Sequence, residues 1–400
     1  MRIQRLSIDR LGTLLPNIIE QILCLIPFRE AVRTCVLSKE WRYNWTKIPK
    51  VVFDLDTLPE PATDDNNFNE DNLQESADGN NLFCVVYQIL LQHQGPIMEF
   101  SICIREDDTY VEVDQVMLYL SRMNTVKKLR LSNFSRIPLD VFSMQQLTDL
   151  YLHECYNLCL PETFNSLCSV TTLTIDDVIT HKPTLLHLIS KCPLLKTLNL
   201  LQGPHHIPSD DHCGLIELFE CLHVIENLTI CLWGIQCFSE GEQPRKLPTS
   251  LYNLKYMCLY DVLLGENSHY DYGMSFLALV FRASPNVEKI KLQTFTLKGL
   301  RMYPMMLDID SDEDEEWDVG EDYSDIKLKN LTELEIEDLG SKKVELEFVK
   351  LMLLMSPVLK TLKIFLNKEV AQDKELEMLN FFLSCPHASP VVIITLHRDV

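Results

Sequence analysis

The feature that most restricts the fold of this chain is a short apolar pattern that returns ten times after residue 90. Its form is apolar-x-x-apolar-x-apolar, as in Leu147-x-x-Leu150-x-Leu152. Alternate burial of side chains is typical of a β-strand, so each copy predicts one strand. Successive copies begin 21 to 33 residues apart, with one gap of 44. The copies start at Ile97, Val126, Leu147, Val170, Leu195, Ile225, Leu254, Val287, Leu331 and Leu359.

Between several copies lie apolar segments with helical spacing that end in proline. A unit of strand and return helix is too small to bury its own apolar face, so such units must stack. The pattern therefore predicts an α/β fold, an irregular leucine-rich-repeat solenoid with parallel strands on the concave face and helices on the convex face. Several separate α/β domains would need glycine-rich turns, and the 400 residues include only 12 glycines. The predicted helices are Leu185–Pro193, Phe276–Pro285, Phe348–Pro357 and Leu376–Pro386.

The first fifty residues differ from the repeats and predict three short amphipathic helices. Leu15 and Pro16 open the first helix, because proline is tolerated in a first helical turn. Ser38 is the predicted N-cap of the third. A segment of roughly 40 residues is too small for a stable core of its own, so it docks on the rest of the chain or on a partner. The apolar positions are Ile18, Ile19, Ile22, Leu23 and Ile26 before Pro27, then Ala31, Val32, Cys35 and Val36, then Trp41 and Trp45.

These residues carry a resemblance to a known family. The order Leu15-Pro16, Ile22-Leu23, Ile26-Pro27, Ala31-Val32 and Val36-Leu37-Ser38-Lys39-Glu40-Trp41-Arg42, followed by Trp45, resembles the F-box of plant F-box/FBD/LRR-repeat proteins. Asn17, Ile18 and Glu40 depart from the residues that are common there. The resemblance implies that the helices insert into the Skp-type adaptor of a cullin–RING ubiquitin ligase. The implied adaptor-binding residues are Leu15, Pro16, Ile19, Ile22, Leu23, Ile26, Pro27, Val36, Trp41 and Trp45.

The end of the chain resembles the FBD region of the same family, through Ser284-Pro285, Ser356-Pro357 and Cys385-Pro386. That region would close the solenoid, with Val391–Thr395 as a last edge strand. The predicted domains are an F-box at 1–50, a polar linker with the first return helix at 51–90, a solenoid at 91–330 and an FBD-like cap at 331–400. An acidic, disordered insertion at 308–325, with eleven acids and no base, explains the gap of 44 residues.

Composition and charge exclude several classes of function. The net charge is −22, with 58 acidic against 36 basic side chains, which argues against a nucleic-acid partner. No apolar run approaches the roughly 20 residues of a membrane span, and the N-terminus has no secretory apolar segment. The 14 cysteines are therefore expected to be reduced, which predicts a cytoplasmic or nuclear protein.

No motif for chemistry is convincing. The run Asp308–Asp314 has Glu313 where a calcium loop needs glycine. The cluster of His205, His206, His212 and Cys213 has no zinc spacing. Since a phosphate loop, a nucleophile elbow and a metalloprotease motif are also missing, we expect a non-catalytic protein without metal or cofactor.

Side chains between the buried strand residues project onto the concave face, where an unknown protein substrate would bind. Tyr151, His153, Tyr256 and Tyr260 are the predicted substrate-binding residues, because exposed aromatic side chains are typical contact anchors. The register of parallel strands predicts a charge ladder in which Lys289 and Lys291 lie beside Glu333 and Glu335, with Lys363 on the other side.

The sequence favours a substrate-recognition subunit of a ubiquitin ligase and leaves other interpretations open. One is an F-box protein that holds the adaptor outside a ligase. Another is a non-ligase leucine-rich-repeat scaffold whose helices cap the solenoid. The last is a small-molecule sensor with a pocket in the concave face.

Overall fold

A computed structural model describes residues 14–39, 41–53, 79–104, 110–201, 215–231, 247, 249–262, 264, 274–294, 323 and 325–398. They form two compact units. Unit 1 comprises residues 1–170 and 178–180, and unit 2 comprises residues 171–177 and 181–400. The run Asp308–Asp314 and the cluster at 205–213 lie outside the described residues.

Unit 1 begins with short helices, α1 (Pro16–Cys24) and α2 (Phe28–Arg33). Pro16 lies in the first turn of α1, as expected. Two 3₁₀ segments follow, at Thr34–Val36 and Trp41–Lys47. The second replaces the third predicted α-helix. Ser38 Oγ accepts the backbone N–H of Trp41 at 3.3 Å, as a cap does, but Thr46 Oγ1 donates to the carbonyl of Tyr43 at 2.7 Å, a local bond that competes with α-helical pairing.

The remainder of unit 1 alternates strands with helical segments. Its four strands are parallel and adjacent in chain order. The elements are β1 (Lys50–Phe53), α3 (Gly79–Gln92), β2 (Glu99–Cys103), α4 (Tyr110–Met123), β3 (Lys128–Ser132), a 3₁₀ segment (Leu139–Ser143) and β4 (Asp149–His153).

Strand β1 corrects the predicted domain boundary. Lys50–Phe53 pairs with β2, so the sheet starts before the segment 51–90 that the sequence assigns to a linker and a helix. Ile48-x-x-Val51-x-Phe53 is an eleventh copy of the apolar pattern, and all three apolar side chains are buried. The polar stretch after it therefore follows the first strand of the repeat rather than separating the helices from the repeat. Residues 54–78 of that stretch lie outside the described part of the chain.

Unit 2 continues the same alternation with eight parallel strands. All four helices that the sequence predicts are present here, each within a few residues of its predicted bounds. The elements are β5 (Thr172–Asp176), α5 (Lys182–Ser190), β6 (Thr197–Leu201), α6 (Leu215–Glu220), β7 (Asn227–Cys231), β8 (Tyr256–Val262), α7 (Met274–Ala283), β9 (Lys289–Thr294), β10 (Glu333–Leu339), α8 (Lys343–Met355), β11 (Thr361–Leu366), α9 (Gln372–Ser384) and β12 (Ile393–Arg398).

Every strand begins two residues after the start of an apolar pattern. Backbone hydrogen bonds explain this constant offset. The carbonyl of Met98 accepts the N–H groups of Lys127 and Lys128 at 2.8 and 3.0 Å, and the carbonyl of Lys127 accepts those of Thr148 and Asp149 at the same distances. In unit 2 the same paired bond is made to the carbonyls of Thr171, Lys196, Glu226, Lys255, Glu288 and Thr332. One carbonyl, that of the residue just before each strand, thus bonds both the last residue before the next strand and the first residue of that strand.

The predicted α/β fold with parallel strands is confirmed, and the ten predicted strands are all present. The C-terminal segment supplies β10, β11 and β12, which extend the sheet of unit 2 in chain order. The last strand lies two residues later than expected, because Val391-x-x-Ile394-x-Leu396 repeats the pattern with its usual offset. The role of 331–400 as a cap stays a prediction.

The end of the acidic insertion is held in place. Tyr323 is buried, and the guanidinium of Arg282 on α7 donates to both carboxylate oxygens of Asp325, with Nε–Oδ2 and Nη2–Oδ1 distances of 3.0 Å. The C-terminal end of the predicted disordered insertion 308–325 is therefore corrected, because its buried tyrosine, Tyr323, and its ion-paired Asp325 are part of the folded structure. Residues 308–322 lie outside the described residues.

Candidate functional site

The helices of unit 1 enclose a small apolar core. Ile19 and Leu23 of α1 pack inward with Trp41 and Trp45 of the 3₁₀ segment. Phe28 of α2 meets the ring of Trp45 edge-on, with centroids 6.4 Å apart and an interplanar angle of 81°. This core explains why the two tryptophans are spaced by four residues.

An aromatic chain joins this core to the sheet. The ring centroid of Phe28 is 5.9 Å from that of Phe53 on β1, and Phe53 is 5.9 Å from Phe100 on β2. Edge-to-face and tilted contacts of this kind add to the energy of burial. The helices are therefore packed on the first strand rather than tethered to it.

The structure divides the ten predicted adaptor-binding residues into two groups. Ile19, Leu23, Trp41 and Trp45 are buried in the core of the helical segment, and their contact with an adaptor stays a prediction. They are buried because a helical segment this short needs its largest side chains for its own core. The exposed group comprises Leu15, Pro16, Ile22, Ile26, Pro27 and Val36.

Exposed apolar side chains form what we call the apolar helical surface. Leu25 is 85% exposed and Val36 is 83% exposed. Side chains this apolar are rarely left in water over a contiguous area unless a partner covers them. The surface consists of Leu15, Ile18, Ile22, Leu25, Ile26, Val36, Leu37 and Tyr43.

Sequence reasoning missed Leu25, Leu37 and Tyr43 as members of this surface. A signal for Leu25 was present. Leu15, Ile18, Ile22 and Leu25 form one stripe at helical spacing, and Ile19 and Leu23 form a second stripe beside it. A helix with two apolar stripes can turn only one of them toward a small core.

The outward side of the strands in unit 1, its open face, brings together two predicted substrate-binding residues. The rings of Tyr151 and His153 on β4 are stacked, with centroids 6.2 Å apart and an interplanar angle of 25°. Arg130 on β3 lies over the Tyr151 ring, with Cζ 3.9 Å from the centroid.

Tyr256 and Tyr260 lie in unit 2, on the outward side of β8, with Cys258 between them. Both tyrosines are half-buried, and Cys258 is buried. Burial raises the pKa of Tyr260 to about 12 and also raises the pKa of Tyr256. These hydroxyls remain protonated at neutral pH, and each makes a hydrogen bond with the Cys258 side chain.

The charge ladder has the predicted register. Glu333 lies opposite Lys289 and Glu335 lies opposite Lys291, with Lys363 on the other side of Glu335. The ion pairs Lys289–Glu333 and Lys291–Glu335 measure 3.0 and 3.2 Å. Lys291 also donates to Glu337 at 2.6 Å. Partial burial opposes the charge of Lys291, but these hydrogen bonds outweigh it and raise the pKa of the ammonium group above 10.5.

A shallow cavity of about 350 Å³ lies where the turns of unit 2 lead into strands β7 to β10. Its walls are mostly polar or charged, so it differs from the apolar pockets that bind most small organic ligands. Asn253 and Asn286 line it and donate from Nδ2 to the carbonyls of His223 and Tyr252, at 3.1 and 2.8 Å. These hydrogen bonds join successive turns, so the two asparagines that line the cavity have a structural role that requires no ligand.

Within the described residues, no helix has the length and apolarity needed to cross a membrane. In the same part of the chain, no three His, Cys, Asp or Glu side chains are grouped as metal ligands would be.

Two solved structures show limited likeness. A leucine-rich-repeat protein of Leptospira interrogans covers 74% of this chain and 91% of its own, with a TM-score of 0.31 and 13% identity. A plant peptide hormone receptor covers 75% of this chain and 54% of its own, with a TM-score of 0.23 and 9% identity.

Sequence comparison gives relatives of matching length, although no family model matches the chain. An F-box/FBD/LRR-repeat protein of Arabidopsis thaliana is 27% identical over 96% of this chain and 97% of its own length. An FBD-associated F-box protein of the same plant is 25% identical over 96% and 98%. Another Arabidopsis F-box/FBD/LRR-repeat protein, 28% identical, matches 48% of this chain and 42% of its own length. The resemblance inferred from the sequence is thereby confirmed: this chain is similar along nearly its whole length to F-box/FBD/LRR-repeat proteins of Arabidopsis thaliana.

Proposed function

We propose that this protein is the non-catalytic substrate-recognition subunit of an SCF-type, cullin–RING ubiquitin ligase. The apolar helical surface would bind a Skp-type adaptor, and the open strand faces would bind a protein substrate. The contribution to ubiquitin transfer is proximity, since the subunit holds a substrate near catalytic groups that belong to other subunits.

One observation carries this proposal. The helices of unit 1 have a filled core of their own and still expose eight apolar side chains. Neither intramolecular packing nor solubility explains such a surface, whereas a helical partner groove does. The F-box in the names of the relatives supports an adaptor as the partner.

The test introduces a negative charge at two residues of this surface that are 85% and 83% exposed. The double variant Leu25→Glu with Val36→Glu is expected to lose binding to a purified Skp-type adaptor by about a hundredfold or more, because interface anchors typically contribute 2 kcal/mol or more. Leu91→Glu is the matched control. Leu91 is also 85% exposed, but it lies on α3, outside the apolar helical surface.

Binding is measured by calorimetry on the full-length chain, with circular dichroism to verify the fold. The control should bind like the parent. Equal binding by the parent and by the double variant would refute an adaptor interface at this surface.

A non-ligase scaffold is the second candidate, and the Phe28–Phe53–Phe100 chain favours it. Packing on β1 makes the helices an N-terminal cap for the repeat, which stacked repeats need for stability. Both functions can share this packing. Failure of the parent chain to bind a Skp-type adaptor, together with normal folding, would favour the scaffold.

A further inference from the structure

Arg130 has an unusual environment for an exposed cation of this protein. Its guanidinium is over the Tyr151 ring, and within the described residues no carboxylate forms an ion pair with it. Four other arginines of the described residues form an ion pair with a carboxylate. Such pairs join Arg33 to Glu30, Arg136 to Asp114, Arg282 to Asp325 and Arg398 to Glu375.

On the open face of unit 1, the row of Arg130 and the row after it along the strands are uncharged, whereas the row before it consists of Glu99, Lys128 and Asp149. In the parallel register, Ser101 of β2 lies on one side of Arg130 and Tyr151 of β4 on the other. The next row along the strands consists of Cys103, Ser132 and His153. Arg130 thus has hydroxyl groups and aromatic rings beside it and after it, and two acids and a second cation before it, in a chain with a net charge of −22.

The contact of Arg130 with the Tyr151 ring favours one kind of ligand for the guanidinium group. Cζ lies 3.9 Å from the ring centroid, and a guanidinium over an aromatic ring keeps N–H groups directed away from the ring that can donate to an acceptor. A carboxylate meets that geometry with two parallel hydrogen bonds. The aromatic contact also limits the side-chain freedom that would otherwise be lost on binding.

We propose that the open face of unit 1 binds an acidic peptide segment, with an Asp or Glu carboxylate of the peptide on Arg130. A neighbouring peptide side chain packs against the Tyr151–His153 stack. The proposal rests on the proposed function in one respect, that the segment belongs to a substrate of the ligase.

A carboxylate fits this site better than a phosphate. Asp149 lies on the same strand as Tyr151, and Glu154 Oε2 is 3.8 Å from His153 Nδ1. These acids repel a phosphate, with its charge near −2, more than a carboxylate with charge −1.

The probe is a phage-displayed library of random dodecapeptides, selected on the purified full-length chain. Selected peptides are expected to share an Asp or Glu at one fixed position. A fluorescein-labelled copy of the best peptide is then titrated by anisotropy. Arg130→Gln should weaken its binding by about 10- to 100-fold, the usual effect of losing a charge-assisted hydrogen-bonded pair.

Lys363→Gln is the matched control, because Lys363 is an exposed cation on the outward side of β11 in unit 2. It should bind the peptide like the parent. Replacing the fixed acid of the peptide by its amide should weaken binding to the parent, with little further effect on Arg130→Gln.

Four outcomes would overturn the proposal. They are an absence of selected peptides, selected peptides without a shared acid, equal loss from the amide peptide in parent and variant, and tighter binding of a phosphoserine version. The adaptor titration is run on the same preparations. Loss of adaptor binding with normal peptide binding would count against the proposed function alone, and the converse against the peptide site alone.

Discussion

At the scale of single residues, burial changes the chemistry of otherwise similar side chains. Cys155 is fully buried after β4, and its thiol donates to the carbonyls of Leu131 and His153 at 3.7 and 3.3 Å. Burial, which disfavours the thiolate, raises the pKa of Cys155 to about 11. Cys84, Cys159 and Cys168 are exposed instead.

We predict from this contrast a selective alkylation pattern. At pH 8 the thiolate fraction of a group with pKa about 11 is about one in a thousand, and the side chain is also inaccessible. Iodoacetamide should therefore modify Cys84, Cys159 and Cys168 of the native protein and leave Cys155 unmodified until urea unfolds the chain. Peptide mass spectrometry after timed quenching measures this. Modification of native Cys155 as fast as Cys159 would contradict the packing described for the β4 turn.

Which apolar residues of the helical segment are exposed was harder to predict than the fold, for a reason that single residues make clear. Leu23 and Leu25 are two positions apart in a segment rich in isoleucine and leucine, yet one is buried and the other is 85% exposed. The sequence motif shows only that both residues are apolar. Which one faces the core depends on the rotation of α1 relative to the tryptophans, and that rotation is set by contacts distant in sequence. Sequence reasoning therefore identified the surface but mixed it with the core beneath it.

At the scale of elements, the strands could be predicted because their register is fixed locally. Each apolar pattern begins two residues before its strand, and one shared carbonyl bonds the last residue before the strand and the first strand residue to the preceding unit. This repeated geometry also made the charge ladder between β9 and β10 predictable. Strand β1 was missed because it is separated from β2 by 45 residues, more than any other spacing in the array.

The ladder leads to a prediction about unequal ion pairs. Lys291 bonds Glu335 and Glu337, whose side chains are 20% and 29% exposed, whereas the Lys289–Glu333 pair is about half exposed. Lys291→Ala leaves two neighbouring carboxylates without a cation and should destabilise the protein by about 1–2 kcal/mol. Lys289→Ala should cost less than about 0.5 kcal/mol, as solvent-exposed pairs do.

Urea unfolding of both variants, followed by circular dichroism, measures the difference. Raising the salt concentration should change the cost of Lys289→Ala more than that of Lys291→Ala, since exposed pairs are screened more strongly. Equal free energies of unfolding for the two variants would show that the inner pairs have no special contribution.

At the scale of the whole molecule, the structure links the two parts that the sequence separates. The sequence predicts helices, a linker and then repeats. In the structure the helices pack through Phe28 on Phe53 of β1, so the polar stretch is an insertion within the repeat. Polar composition shows that a segment lacks a core, but it cannot show between which elements the segment lies. The position of the polar stretch follows from the four-residue strand β1, which is too short to change the average composition of the sequence around it.

The acidic insertion, like the polar stretch, lies between two strands of the repeat. Deleting residues 308–322 removes ten acids but keeps Tyr323 and Asp325. This deletion should change the free energy of unfolding by less than about 1 kcal/mol, because the closure entropy of a surface loop varies slowly with its length. Deleting 308–325 also removes the buried tyrosine and the partner of Arg282, whose side chain is 19% exposed.

The longer deletion should therefore cost about 2–4 kcal/mol more than the shorter one, from lost tyrosine burial and an uncompensated guanidinium. Urea unfolding of both deletions provides the comparison, with Tyr323→Ala in the full-length chain as the matched control for the burial contribution. If the two deletions were equally stable, the contacts of Tyr323 and Asp325 would have no energetic value. If the shorter deletion alone lost its cooperative transition, residues 308–322 would themselves be part of the folded array. The three extra residues thus separate an insertion that ends at 322 from one that ends at 325.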